Sequence, residues 1–133
     1  MPEPFTIRRE LRSGDFDIYR HLNQAVYHQL LEDGRVEYLR EIGLGGSDRV
    51  VARVELDHRQ EVPLGEPAVD LVIGVQKVGR SSMTLSNEIR MLDGTVAAEG
   101  IVVLVAWDPE RRGSRPLTEG ERTILEAAVA TPA

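Results

Sequence analysis

Between Tyr27 and Ile42, apolar or small residues return every three or four positions: Tyr27, Leu30, Leu31, Gly34, Tyr38 and Ile42. That period predicts one long helix with a single apolar stripe. Charged Glu32, Arg35, Arg40 and Glu41 take other positions, and Gly43 supplies a stop. A glycine within the stripe costs roughly 1 kcal/mol against alanine, so another backbone is expected to pass close to Gly34. Elsewhere the period is two. Phe5 to Leu11 suits a first strand. Val50, Ala52, Val54 and Leu56 alternate with Val51, Arg53, Glu55 and Asp57, predicting a strand with one buried face that runs to about Gln60.

A turn at Pro63–Leu64–Gly65 leads to a strand over Val69 to Val78, with Val69, Leu71, Ile73 and Val75 on one face. Gly79–Arg80–Ser81–Ser82 turns into the next, where Met83, Leu85, Ile89 and Met91 alternate with Thr84, Ser86, Glu88 and Arg90. Asp93–Gly94 predicts a hairpin with a primed two-residue turn. Val96 to Trp107 is apolar on both faces from Ile101 onward, which predicts a central strand ended by Asp108–Pro109. Arg111 to Pro116 reads as a polar loop. Thr118–Glu119–Gly120–Glu121 has capping-box spacing and opens a short amphipathic helix with Ile124, Leu125, Ala128 and Val129. A strand, a long helix, a run of antiparallel strands and a terminal helix make one α+β domain over residues 1–133.

Composition removes several function classes. With 41% hydrophobic and 29% charged residues, the chain is expected to be an ordinary globular protein. The longest apolar run, Ile101 to Trp107, is far short of a membrane span. MPEPFTIRRE lacks the order of a signal peptide, and the absence of cysteine excludes disulfides and thiolate chemistry, so a cytoplasmic location is expected. A net charge of −6 argues against nucleic-acid binding, leaving Arg8, Arg9 and Arg12 as a solvated strand face. Three scattered histidines show no metal-ligand spacing, so neither metal nor cofactor is expected.

The candidate chemistry gathers just before the long helix. Asp15, Asp17, His21, Asn23 and Gln24 crowd ionisable and polar groups against its N-terminus. Free N–H groups and the helix dipole favour negative charge there. A carboxylate, an imidazole and unpaired amide donors at one point suit acyl chemistry.

These residues resemble the hotdog-fold acyl-CoA thioesterases, in particular the 4-hydroxybenzoyl-CoA thioesterase-like branch. That family has a strand, an Asp-x-Asp-x-x-x-His-x-Asn-like loop, a Tyr in the first helical turn and Glu-x-x-Arg later. Here they match Asp15, Asp17, His21, Asn23, Tyr27, Glu32 and Arg35. The Gly-Arg-Ser-Ser turn, the Asp-Gly hairpin and Ala98–Glu99–Gly100 extend the likeness over nearly the whole chain before the terminal helix. Many relatives carry glycine just before the histidine or one position earlier, where this chain has Tyr19–Arg20. Plant acyl-carrier-protein thioesterases of this fold have asparagine in place of Tyr19 and Gln24.

The resemblance implies a hotdog fold, an antiparallel sheet wrapped around one long helix. It implies acyl-CoA hydrolysis in which Asp17 attacks the thioester carbonyl or activates a water. It also implies that the Gln24 N–H polarises the carbonyl oxygen at the positive end of the helix. His21 orients Asp17 or fills a polar pocket; Asp15 and Asn23 shape the loop. Glu32 is a reserve base, or an ion-pair partner of Arg35. Gly79, Arg80, Ser81 and Ser82 are expected near the CoA nucleotide, with His58 and Arg59 a weaker choice. The alternative is a non-catalytic acyl-CoA-binding sensor or carrier. A homodimer or homotetramer with a shared acyl groove is implied in either case.

Overall fold

The computed structural model describes residues 5–129. Strand β1 (Phe5–Glu10) is followed by a 3-10 turn at Ser13–Asp15 and helix α1 (Gln24–Glu41). Four long strands follow: β2 (Arg49–His58), β3 (Ala68–Val78), β4 (Ser82–Met91) and β5 (Val96–Asp108). A short β6 (Gly113–Ser114) and helix α2 (Glu119–Ala128) complete the order. Every strand pair is antiparallel, in the order β1-β3-β4-β5-β2, with β6 added beside the end of β5. The sheet packs against α1, which is the expected α+β hotdog fold.

Tyr27, Leu30, Leu31, Gly34 and Tyr38 are buried, and so is Leu39, which the predicted stripe omits. They meet Leu71, Ile73, Leu85 and Ile89 from β3 and β4, where each fully buried leucine contributes about 1.5–3 kcal/mol. Gly34 lies against the sheet, but its neighbours are side chains rather than the expected backbone. A Cβ there would stand 2.7 Å from Ile73 Cδ1 and 3.1 Å from Leu71 Cδ1.

Three local expectations are corrected. Strand β2 has no well-buried face: Val51 is 49% and Val54 44% exposed. It is an edge strand, paired on one side with β5 and bulged between Val51 and Arg53, which interrupts the alternation. The Asp93–Gly94 hairpin has a three-residue loop instead of a primed turn. Among its residues only Gly94 is left-handed (φ 92°), whereas a type I′ turn needs both central residues so. Its N–H donates to Met91 O, and Met91 N–H donates to Thr95 O, both at 2.9 Å. The Arg111–Pro116 segment contains β6 rather than loop alone, because Gly113 and Ser114 pair with Asp108 and Trp107. Strand β5 does lie inside the sheet: Val102, Leu104 and Ala106 are buried on one face, and Ile101, Val103 and Val105 half-buried on the other. The N-terminal tetrapeptide weighed above as part of a possible leader lies outside the described residues.

Candidate active site

The loop before α1 is closed by its own backbone. Asp17 N–H donates to His21 O and Arg20 N–H to Asp17 O, both at 3.0 Å. Leu22 N–H then donates to Val62 O and Leu64 N–H to Arg20 O, both at 2.8 Å, pinning the loop to the segment before β3. Asp15 Oδ2 accepts from Arg12 N–H at 2.7 Å, and Asn23 Oδ1 accepts from Ala25 N–H at 3.1 Å. Both therefore serve the loop and the helix cap, as expected for them.

Closing this loop puts Arg20 in the left-handed region, at φ 68°. It occupies the position before the histidine, where many of the proteins the sequence resembles carry glycine. An L side chain in that conformation costs roughly 1–2 kcal/mol, and glycine gives back about 0.5–1 kcal/mol in unfolded-state entropy. Arg20→Gly is therefore expected to raise stability by roughly 0.5–1 kcal/mol, read as a higher urea midpoint. A lowered midpoint would show that the arginine side chain itself holds the loop.

A cleft of about 530 Å³ opens between this loop, the first turn of α1 and the end of β2. Asp17, His21, Gln24 and Tyr27 line one side, and His58, Arg59 and Glu61 the other. Asp17 Oδ1 accepts from Tyr19 N–H at 2.9 Å, which fixes the carboxylate plane. Its Oδ2 lies 3.5 Å from His21 Nε2, with 26% of the Asp17 side chain exposed. On the other side of the imidazole, Nδ1 lies 3.6 Å from Glu61 Oε2. Gln24 is the first residue of α1, and among the described residues its N–H has no acceptor. Tyr27 is buried with its ring edge-on to His58, centroids 4.7 Å apart. Burial pushes its phenol up, a hydrogen bond with the Val62 backbone pulls it down, and the charge of Glu61 pushes it up again. It is a neutral wall behind the cleft.

The cleft thus gathers Asp17, His21, Gln24, His58 and Arg59. Glu32 stands apart, about 12 Å further along α1 by helical rise. It is 3.9 Å from Arg35, beside a groove with Val51 and Val54. Arg35 is only 12% exposed; burial depresses its guanidinium pKa, and Glu32 acts against that. The Gly79–Ser82 turn follows the far end of β3, which at eleven residues is about 33 Å long. There Arg122 Nη2 donates to Gly79 O at 2.9 Å and Leu117 N–H donates to Arg80 O at 2.9 Å, so the α2 region clamps the turn's carbonyls. Within one protomer that turn and Asp17 do not share a site. Sequence reasoning missed Glu61, which no local pattern marks; only pairing across the loop brings it to His21. Among the described residues no group of three or more His, Asp or Glu side chains is arranged to hold a metal ion.

The Thioesterase-like superfamily matches residues 11–130. Comparison with curated protein sequences gives no match. A Thermus thermophilus thioesterase complexed with coenzyme A and Zn is 31% identical, with a TM-score of 0.80 and 92% of each chain covered. A predicted thioesterase from Bacillus stearothermophilus is 25% identical, with a TM-score of 0.88 over 98% of this chain and 100% of that one. A Staphylococcus aureus protein in complex with CoA shares the fold at 17% identity, with a TM-score of 0.87 and coverage of 98% and 89%.

Proposed function

This chain belongs to the thioesterase-like superfamily, and from that membership we propose that it hydrolyses an acyl-CoA thioester to a free acid and CoA. The observation that carries the reading is one cleft lined both by Asp17, whose Oδ2 is free of backbone bonds, and by Gln24, whose N–H opens α1 without an acceptor. A carbonyl oxygen against that N–H gains the positive end of the helix as charge develops on it. Asp17 then acts as base toward a water or as nucleophile toward the carbon. Thiolate leaves readily, so the step asks little more of the protein. The coenzyme A seen in the Thermus thermophilus relative supports a CoA thioester as substrate. The Asp15–Asn23 motif supports placement in the 4-hydroxybenzoyl-CoA thioesterase-like branch. His58 and Arg59, on the cleft wall, are the CoA contacts within one protomer; Gly79–Ser82 would serve a CoA bound across a two-fold.

The test is a panel of acyl-CoAs, with free thiol followed by a thiol reagent. Release from at least one is expected. Tight acyl-CoA binding without release would instead support the sensor or carrier.

The assembly we infer is a homodimer joined through β2, with pairing into a tetramer as a further step. Strand β2 is ten residues long, contains no proline and leaves one edge unpaired among the described strands. Such an edge, with Val51 and Val54 exposed beside it, invites a partner. A two-fold axis would join two β2 strands and set the α1 helices together, with the end of β2 bringing the cleft to the interface. Dilution is therefore expected to lose association and activity together. An active monomer in sedimentation at assay concentration would rule out a shared site.

A further inference from the structure

Beyond the cleft, α1 and β2 stand apart over a groove of about 220 Å³. Its walls are the apolar side chains of Leu31, Val51, Val54, Leu56 and Val102, and Asn87 of β4 also lines it. We propose that this groove holds the acyl chain of the substrate and that Asn87 selects a chain carrying a hydroxyl remote from the thioester. The inference rests on the thioesterase reading for the place of the carbonyl, at Gln24.

Asn87 stands in a strand that otherwise turns apolar side chains to α1: Met83, Leu85, Ile89 and Met91 are all buried. Alternation puts its amide on the same face, with Ile73 beside it on one strand and Gly100 on the other. It is 3% exposed, the only buried residue with an amide, acidic or basic side chain among those described. Its Oδ1 is wholly buried and has no hydrogen-bond partner. Arg35, on the groove wall, has Glu32 as its ion-pair partner, at 3.9 Å. An unpaired amide in a core costs stability that leucine in its place would not. Packing therefore gives no reason for asparagine here, whereas a ligand in the groove does.

The place of Asn87 along the groove sets where the ligand must be polar. Gly34 packs on Ile73, the β3 neighbour of Asn87, and Leu31 lines the groove one turn earlier. By helical rise these residues lie about 10–15 Å beyond Gln24. A chain whose carbonyl oxygen meets the Gln24 N–H thus passes Asn87 with its middle or far end. There a hydroxyl can donate to Oδ1, and it can equally accept from the amide nitrogen. An alkyl chain expels any water at the amide and offers no hydrogen bond in exchange. A carboxylate has no proton to donate and would meet Glu32 and Glu55 on the walls, while an ammonium would meet Arg35.

S-alkyl-CoA thioethers are not hydrolysed, so the groove can be tested without turnover. In titration calorimetry, a medium-chain thioether with a hydroxyl in its outer half is expected to bind about 10- to 100-fold more tightly than the unsubstituted one. A hydroxyl beside the sulfur is expected to gain nothing. Asn87→Leu should erase the preference, and so should Asn87→Ala, which cannot overfill the site. Equal binding of the outer-hydroxyl and unsubstituted thioethers by the wild type overturns the proposal. A preference that survives both substitutions while the dimer weakens also overturns it, and assigns the amide to the subunit interface. If the preference is found and lost as expected but no acyl-CoA is hydrolysed, the groove stands and the thioesterase reading is what fails.

Discussion

Asp17→Asn is expected to lower turnover of the best acyl-CoA by at least about a hundredfold, close to 2.7 kcal/mol of lost transition-state stabilisation. The fold should survive, because the asparagine oxygen can still accept from Tyr19 N–H and the loop is closed by the backbone of Asp17, Arg20 and His21. What disappears is a basic oxygen at Oδ2, the atom that faces His21 at the mouth of the cleft. The loss should fall on kcat and leave KM nearly unchanged, since asparagine keeps the size of the side chain and its hydrogen bond to Tyr19 N–H. Turnover near wild type, with an unchanged melting curve, would exclude Asp17. It would turn attention to Glu32, which lies outside the cleft on the α1 groove.

The second large effect is on stability, at Glu121. Its carboxylate receives both arms of Arg115, at 2.8 and 2.9 Å, as well as the Ser47 hydroxyl at 2.8 Å and Thr118 N–H at 2.9 Å. These bonds, Arg115 first, lower its pKa from 4.5 to about 2, with burial opposing. The folded state thus binds this proton less readily than the unfolded chain. The stabilisation is complete above about pH 4.5 and is lost as the pH falls toward about 2. A shift of that size corresponds to roughly 2–3 kcal/mol once partial solvent screening is allowed for. Glu121→Gln should therefore lower unfolding free energy in urea by about that much at pH 7 and converge on the wild type near pH 2. A gap that persists undiminished in acid would mean that shape, and not charge, holds this junction.

The same residue shows how far local sequence can be read. Thr118 and Glu121 were legible as a capping box, because a cap depends only on residues three apart; Thr118 Oγ1 does accept from Glu121 N–H at 3.1 Å. That Glu121 also ties α2 to Ser47, in the turn after α1, was not legible. Nothing near Ser47 marks it as the partner of a residue 74 positions away. Likewise the Asp15–Asn23 loop was recognisable as chemistry, but not which of its residues turns left-handed. Only the closed loop shows that it is Arg20.

Periodicity in the chain was enough to determine α1 and the core faces of β3 and β4; a run apolar on both faces marked the place of β5 inside the sheet, and a three-residue spacing the cap of α2. Burial on one side of a helix or strand repeats with the backbone's own period, so it is written locally. The loop residues Asp17, His21 and Gln24 were likewise determined as neighbours, since a few residues of chain cannot separate them far. Tertiary structure alone decided that β2 lies at the edge with Val51 and Val54 exposed, because alternation states which residues share a face and not whether that face is covered. It also decided that Glu32 and Gly79–Ser82 stand away from the cleft, and that Glu61 stands within it beside His21. Those outcomes depend on which distant segments pair and in what register, a choice made by the packing of the whole sheet on α1.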